Sequence, residues 1–129
     1  MVNQLQLDLT SDNARKLTTT TWTTGSDRRL KTDIEVADYD TCYDNMKAID
    51  LVRFAWDSNI PAYAHVGDRH KLGWIAQDVQ PVFPNAVSER EFEHGMSNVL
   101  NLNTDQIYAM MYGAIRKLQD EVEKLKCSQ

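Results

Sequence analysis

The sequence has 129 residues, 42% of them hydrophobic and 26% charged, with a formal net charge of −5. That length suits one small domain able to bury about two-thirds of its unfolded surface, and the composition is that of a folded chain rather than a disordered one. The acidic balance argues against a general nucleic-acid or anionic-membrane binder, which needs a positive field, and no run approaches the ~20 apolar residues of a membrane span. The two cysteines, Cys42 and Cys127, show no paired spacing, so free thiols in a reducing compartment are expected. The N-terminus lacks the basic-then-apolar pattern of a secretory signal.

Residues 1–25 are polar and rich in threonine, with Leu5, Leu7 and Leu9 at period two. This alternation predicts a strand with one buried face. The run Thr18-Thr19-Thr20-Thr21-Trp22-Thr23-Thr24 favours extended backbone. Too short and too polar to fold alone, the segment is expected to be the end of an upstream β-rich stalk, with residues 26–129 forming the compact domain.

The junction reads Gly25-Ser26-Asp27-Arg28-Arg29-Leu30-Lys31. If this stretch is curved, the Lys31 amine reaches the Ser26 hydroxyl, and a Ser/Lys pair is a minimal nucleophile-and-base set for cutting an amide. The lysine must then be neutral, which requires an apolar or electropositive surround. Taken alone, the pair is a weak signal, and the ordinary reading of such a stretch is a solvated basic turn.

Beyond it, Leu30, Ile34 and Val36 are apolar amid charge, and Thr32-Asp33 is a turn signal. Asp40 to Asp50 predicts a short helix capped by Asp40 or Thr41, with Met46 and Ile49 facing inward. Residues 51–56 and 71–76 predict paired strands joined by a loop holding Pro61, Gly67, His65 and His70, with Trp56 and Trp74 in the core. Gln77 to Gln80 starts a helical turn stopped by Pro81 and Pro84, anchored by Val82 and Phe83. Phe92 to Leu102 predicts another strand, with a turn at His94-Gly95. Glu89, Glu91 and Glu93 form an acidic strip, expected to be a solvated face.

A long helix follows, about 104–127, capped by Asn103 or Thr104 with Asp105 near its positive end. Tyr108, Met111, Ile115, Leu118, Val122 and Leu125 recur at alternating steps of three and four, which is an a/d coiled-coil seam. The stretch from Ile107 to Ile115 is apolar on several faces and is expected to pack on the domain as well. The second half is a narrow seam flanked by Glu121, Glu123, Lys124 and Lys126, which favours self-association into two or three strands. The fold class is therefore α+β: a small mixed domain of short strands and a long amphipathic C-terminal helix.

Three ordered motifs give the chain a resemblance to a known family. Gly25 to Lys31 resembles the S-D-x-R-L-K signature of the peptidase S74 family, the C-terminal intramolecular chaperone domains of phage endosialidases, tailspikes, tail fibres and neck appendages. Gly73-Trp74-Ile75-Ala76-Gln77-Asp78-Val79, followed by Phe83-Pro84, is similar to the family's G-x-I-A-Q-D/E-V…F-P motif. Asn101-Leu102-Asn103-Thr104-Asp105-Gln106-Ile107 resembles its entry into the terminal helix. The likeness covers about residues 26–126. It implies a homotrimer whose terminal helices form a trimeric coiled coil, an upstream β-fibrous region as folding client, and self-release by cleavage of Gly25–Ser26. By the same resemblance Ser26 is the nucleophile, Lys31 the general base, and Asp27 and Arg29 organise the turn or the oxyanion. It further implies a virion precursor, assembled in the host cytoplasm, whose terminal domain is released on maturation. If Ser26 attacks the carbonyl directly before it, the first product is an ester, which water then hydrolyses. Gly25 is expected to let a strained peptide be presented there.

Other functions are weighed against this one. Cys42, His65, His70, His94 and Cys127 fit no standard zinc spacing, and no phosphate-binding glycine motif occurs, so no metal or cofactor is expected. The principal alternative is a non-catalytic trimerisation or receptor-binding tip of a viral fibre. A further one is the cleavage domain of a membrane-anchored transcription factor of the myelin-regulatory type, which carries a similar motif.

Overall fold

A computed structural model describes residues 7–10, 13–16, 22–66 and 70–128. The chain divides into two compact units, Met1–Val36 and Ala37–Gln129. In the first, β1 (Leu7–Thr10) pairs antiparallel with β2 (Asn13–Lys16), Leu7 opposite Lys16. Leu7 and Leu9 thus lie on a strand; Leu5 and Thr18 to Thr21 lie outside the described residues. Trp22, Thr23 and Thr24 belong to no regular element, and a short 3-10 turn follows at Arg28–Leu30.

The second unit contains α1 (Tyr39–Ala48), the hairpin β3 (Val52–Ala55) and β4 (His70–Gly73), a short α2 (Ala76–Val79), the hairpin β5 (Val87–Glu93) and β6 (Met96–Leu102), and α3 (Thr104–Cys127). Both hairpins are antiparallel, with Val52 opposite Gly73 and Val87 opposite Leu102. Short antiparallel strands and a long C-terminal helix make this the expected α+β domain.

The start of α1 differs from expectation. Asp38, rather than Asp40 or Thr41, is the cap: its carboxylate accepts from the backbone N–H of Asp40 at 3.0 Å and of Thr41 at 3.3 Å. It accepts from the Thr41 hydroxyl as well, so Thr41 assists the cap from inside the helix. These bonds hold the Asp38 carboxyl below the usual aspartate range, the Thr41 hydroxyl contributing most. The β5 strand also starts earlier than predicted, at Val87, because the 3-10 turn Pro84–Ala86 delivers the chain directly into the ladder. The turn at His94-Gly95 falls where predicted, with both residues at positive φ (53° and 77°).

The core gathers Ile49, Val79, Ala86, Ile107 and Met110, with Cys42, Met46, Trp74, Val82, Phe83, Val87 and Leu102 packed against it. Trp56 is not among them: at 37% exposure it flanks a cleft, whereas Trp74 packs on the core as predicted. Asn103 fixes the entry to α3 without capping it by side chain. Its N–H donates to the Ala86 carbonyl at 2.7 Å, and its side-chain amide donates to the Asn85 carbonyl at 3.4 Å. Ile107, Met110, Gly113 and Ala114 then bury one stripe of α3. At Gly113 the α1 helix comes close, and an added Cβ would lie 2.5 Å from Cys42 Sγ. Lys117 ties the same two helices by an ion pair to Asp40 (2.7 Å) and also pairs with Glu121 along α3 (3.1 Å); both hold its amine above the ordinary lysine range.

Candidate functional site

The Ser26 and Lys31 side chains meet. Lys31 Nζ lies 2.7 Å from Ser26 Oγ, within the first compact unit. The meeting is a consequence of a local turn built by Asp27. Its Oδ1 accepts from the Arg29 backbone N–H at 2.8 Å and from Arg29 Nε at 3.1 Å, while Oδ2 accepts from Arg29 Nη2 at 2.9 Å. A carboxylate that caps a turn and is gripped by a planar fork has little freedom left. The Asp27 carbonyl accepts from the Leu30 N–H at 3.0 Å and the Arg28 carbonyl from the Lys31 N–H at 3.1 Å. One tight turn between residues 27 and 30 therefore folds Lys31 back towards Ser26.

The electrostatics follow the same contacts. The Arg29 guanidinium holds the Asp27 carboxyl below its ordinary range, and Asp27 in turn raises Arg29. Arg29 engages Asp27 through both Nε and Nη2, so its guanidinium is part of the turn. Ser26, Asp27, Arg29 and Lys31 are all exposed. A lysine that acts as base is favoured instead by apolar enclosure. Gly25 has ordinary rather than positive φ, and a Cβ there would make a normal 3.6 Å contact with Leu30 Cδ1. The expected backbone strain at Gly25 is therefore not found in this conformation.

Tyr108, Met111, Ile115, Leu118, Val122 and Leu125 lie on α3 and are all exposed. None of them belongs to the buried stripe of Ile107, Met110, Gly113 and Ala114. The helix thus carries two apolar faces, one spent on its own domain and one open. Exposure reaches 61% at Ile115 and 64% at Leu125. An apolar stripe of this length is uncommon on a surface that meets only water.

Among the described residues no three His, Cys, Asp or Glu side chains come together to hold a metal ion. Cys42, half-buried, and Cys127, exposed, are free thiols. No helix among the described residues is long and apolar enough to cross a membrane.

A cleft of about 470 Å³ opens between the two hairpins of the 37–129 unit, lined by Phe54, Trp56, Tyr63, Glu93 and His94 among others. The nearest sequence signals were the tryptophans and the acidic strip, which periodicity alone assigned to core and to solvent.

The chain thus combines a turn that brings a serine to a lysine with a small α+β domain whose terminal helix keeps an exposed apolar face. Residues 26–88 match the Peptidase_S74 family, described as chaperone of endosialidase, and this segment is an S74 chaperone domain. The match begins at Ser26, the serine that Lys31 contacts.

Proposed function

We propose that this chain is an intramolecular chaperone of a phage fibre or tailspike-type protein, which assembles as a homotrimer and then releases itself by cutting Gly25–Ser26. The observation that carries the proposal is the 2.7 Å contact between Lys31 Nζ and Ser26 Oγ on a turn clamped by Asp27 and Arg29. Proximity of this kind is the larger part of what a self-cleaving site must supply, since the scissile bond is covalently in place.

In the proposed reaction neutral Lys31 takes the Ser26 hydroxyl proton as Oγ attacks the Gly25 carbonyl carbon. The C–N bond then breaks, the proton passes to the departing Ser26 amine, and the Gly25 acyl group rests as an ester on Ser26 Oγ. Water adds to that ester and frees a Gly25 carboxylate and the Ser26 hydroxyl. One water is consumed per bond and no other reactant is needed. The open seam on α3 supports the trimer. Three copies packed along Tyr108, Met111, Ile115, Leu118, Val122 and Leu125 would bury that stripe and raise the local concentration of the upstream strands. β-fibrous trimers fold slowly through long-range pairing, so a terminal clamp helps them assemble. Its removal leaves the stalk held by a kinetic barrier. In this scheme the domain belongs to a virion precursor assembled in the host cytoplasm.

The exposure of Ser26 and Lys31 in the single chain favours a second function, a trimerising fibre tip in which the pair is only a turn. Intact mass spectrometry of wild type, Ser26→Ala and Lys31→Ala separates the two. A fragment beginning at Ser26 in wild type alone supports cleavage. Intact chain in all three, with the upstream stalk attached, supports the tip.

A further inference from the structure

We propose that the cleft between the two hairpins of the 37–129 unit receives the side chain of an arginine carried by a partner polypeptide. Its walls are a run of rings. Phe54 meets Trp56 edge-on at 5.1 Å and 89°, Trp56 stacks on Tyr63 at 4.4 Å and 18°, and Tyr63 meets the His94 ring at 5.4 Å. Ring faces attract cations.

The charge of the lining has the same sense. Two carboxylates, Asp57 and Glu93, line the cleft, and no lysine or arginine does among the described residues. Glu93 is weakly satisfied. Its Oε1 lies 3.5 Å from His94 Nε2 and 3.8 Å from the guanidinium of Arg90, an exposed side chain. Its Oε2 is withdrawn from solvent and makes no hydrogen bond among the described residues. Such an oxygen is costly to leave alone. A cation in the cleft would offset that charge through space, since Oε2 itself is sealed from solvent.

Chemistry narrows the occupant. Gln77, Asn101 and His94 also line the cleft and could donate to an anion, but the charged side chains there among the described residues, Asp57 and Glu93, are both acidic and would repel one. An ammonium is strongly hydrated and compact, whereas a guanidinium is flat, weakly hydrated and stacks on rings. The cleft is larger than a guanidinium, and Val99, Leu100 and Ile60 add apolar wall that suits the aliphatic stem of an arginine.

The test is a titration of the folded chain with acetyl-Gly-Arg-Gly-amide, followed by tryptophan fluorescence and by the indole N–H signals in NMR. The citrulline peptide, alike in shape but uncharged, is titrated in parallel. The proposal expects saturable binding of the arginine peptide, about tenfold weaker binding of the citrulline peptide, and a similar loss in Glu93→Gln. Tyr63→Leu and Trp56→Leu should abolish binding, with circular dichroism reporting whether each folds; Glu93→Gln keeps its shape and carries the test if they do not. Equal affinity for both peptides, or no saturable change in folded wild type, would overturn the proposal.

Discussion

Replacing Gly113 by alanine probes the contact that sets the direction of α3. A Cβ at this position would lie 2.5 Å from Cys42 Sγ and 2.8 Å from Cys42 Cβ. Relaxed contacts between such atoms are roughly 3.5–4 Å, so α1 and α3 must separate by about 1 Å. A cysteine has a single side-chain torsion, and its Cβ cannot swing away at all, so the strain falls on the helices. Overpacking of this kind costs about 1–3 kcal/mol. Against it stands the gain of about 1 kcal/mol when alanine replaces glycine in a helix. With the Cβ of Cys42 fixed, the upper half of the cost applies, and the net loss is about 1–2 kcal/mol. Urea unfolding followed by helix ellipticity reads this directly. Adding Cys42→Gly should couple favourably with Gly113→Ala in a double-mutant cycle, by about 1 kcal/mol or more. A Gly113→Ala protein stabilised by about 1 kcal/mol, as at a solvent-facing helical glycine, would refute the packing described between α1 and α3.

Other expectations concern the seam, the turn and the reaction. Leu118→Glu with Val122→Glu places charge in the open stripe of α3 and should dissociate the proposed trimer in sedimentation, each lost Leu or Val burial being worth about 1.5–3 kcal/mol. Asp27→Asn removes the charge gripped by Arg29 and should slow cleavage at least tenfold while leaving the helical ellipticity of the 37–129 unit unchanged. The Asp38 and Glu121 carboxyls are held below their ordinary values, chiefly by Thr41 and by Lys117. Depressed carboxyls contribute stability that is complete above their unfolded values and fades as pH falls through the folded ones. Unfolding stability should therefore drop on acidification below about pH 4, and less steeply in Lys117→Met. Hydroxylamine added during cleavage should intercept the ester and leave a hydroxamate at Gly25, whereas direct hydrolysis of the peptide would leave none.

Periodicity carried α3 and its two faces, since steps of three and four separate the open seam from the stripe of Ile107, Met110 and Gly113. Alternation carried the β3–β4 pairing, and His94-Gly95 announced its turn by composition. The cap at Asp38 was obscured because Asp38, Asp40 and Thr41 are all good capping residues, and only the hydrogen bonds choose among them. The position of Trp56 was hidden for a different reason. Alternation places Val52 and Phe54 inward, but the strand ends at Ala55, so Trp56 turns out of phase to stack on Tyr63. At the 26–31 turn the spacing of Ser26 and Lys31 was visible, yet the clamp of Arg29 on Asp27 depends on side-chain geometry that no pattern encodes.

The proposed cut by Ser26 and Lys31 at the bond before Ser26 is tested most directly by intact mass spectrometry of the protein expressed with its upstream stalk, beside Ser26→Ala and Lys31→Ala. A fragment beginning at Ser26 is expected in wild type, and intact chain in both variants. Intact wild type, or a fragment beginning at residue 26 that persists in Ser26→Ala, would contradict it.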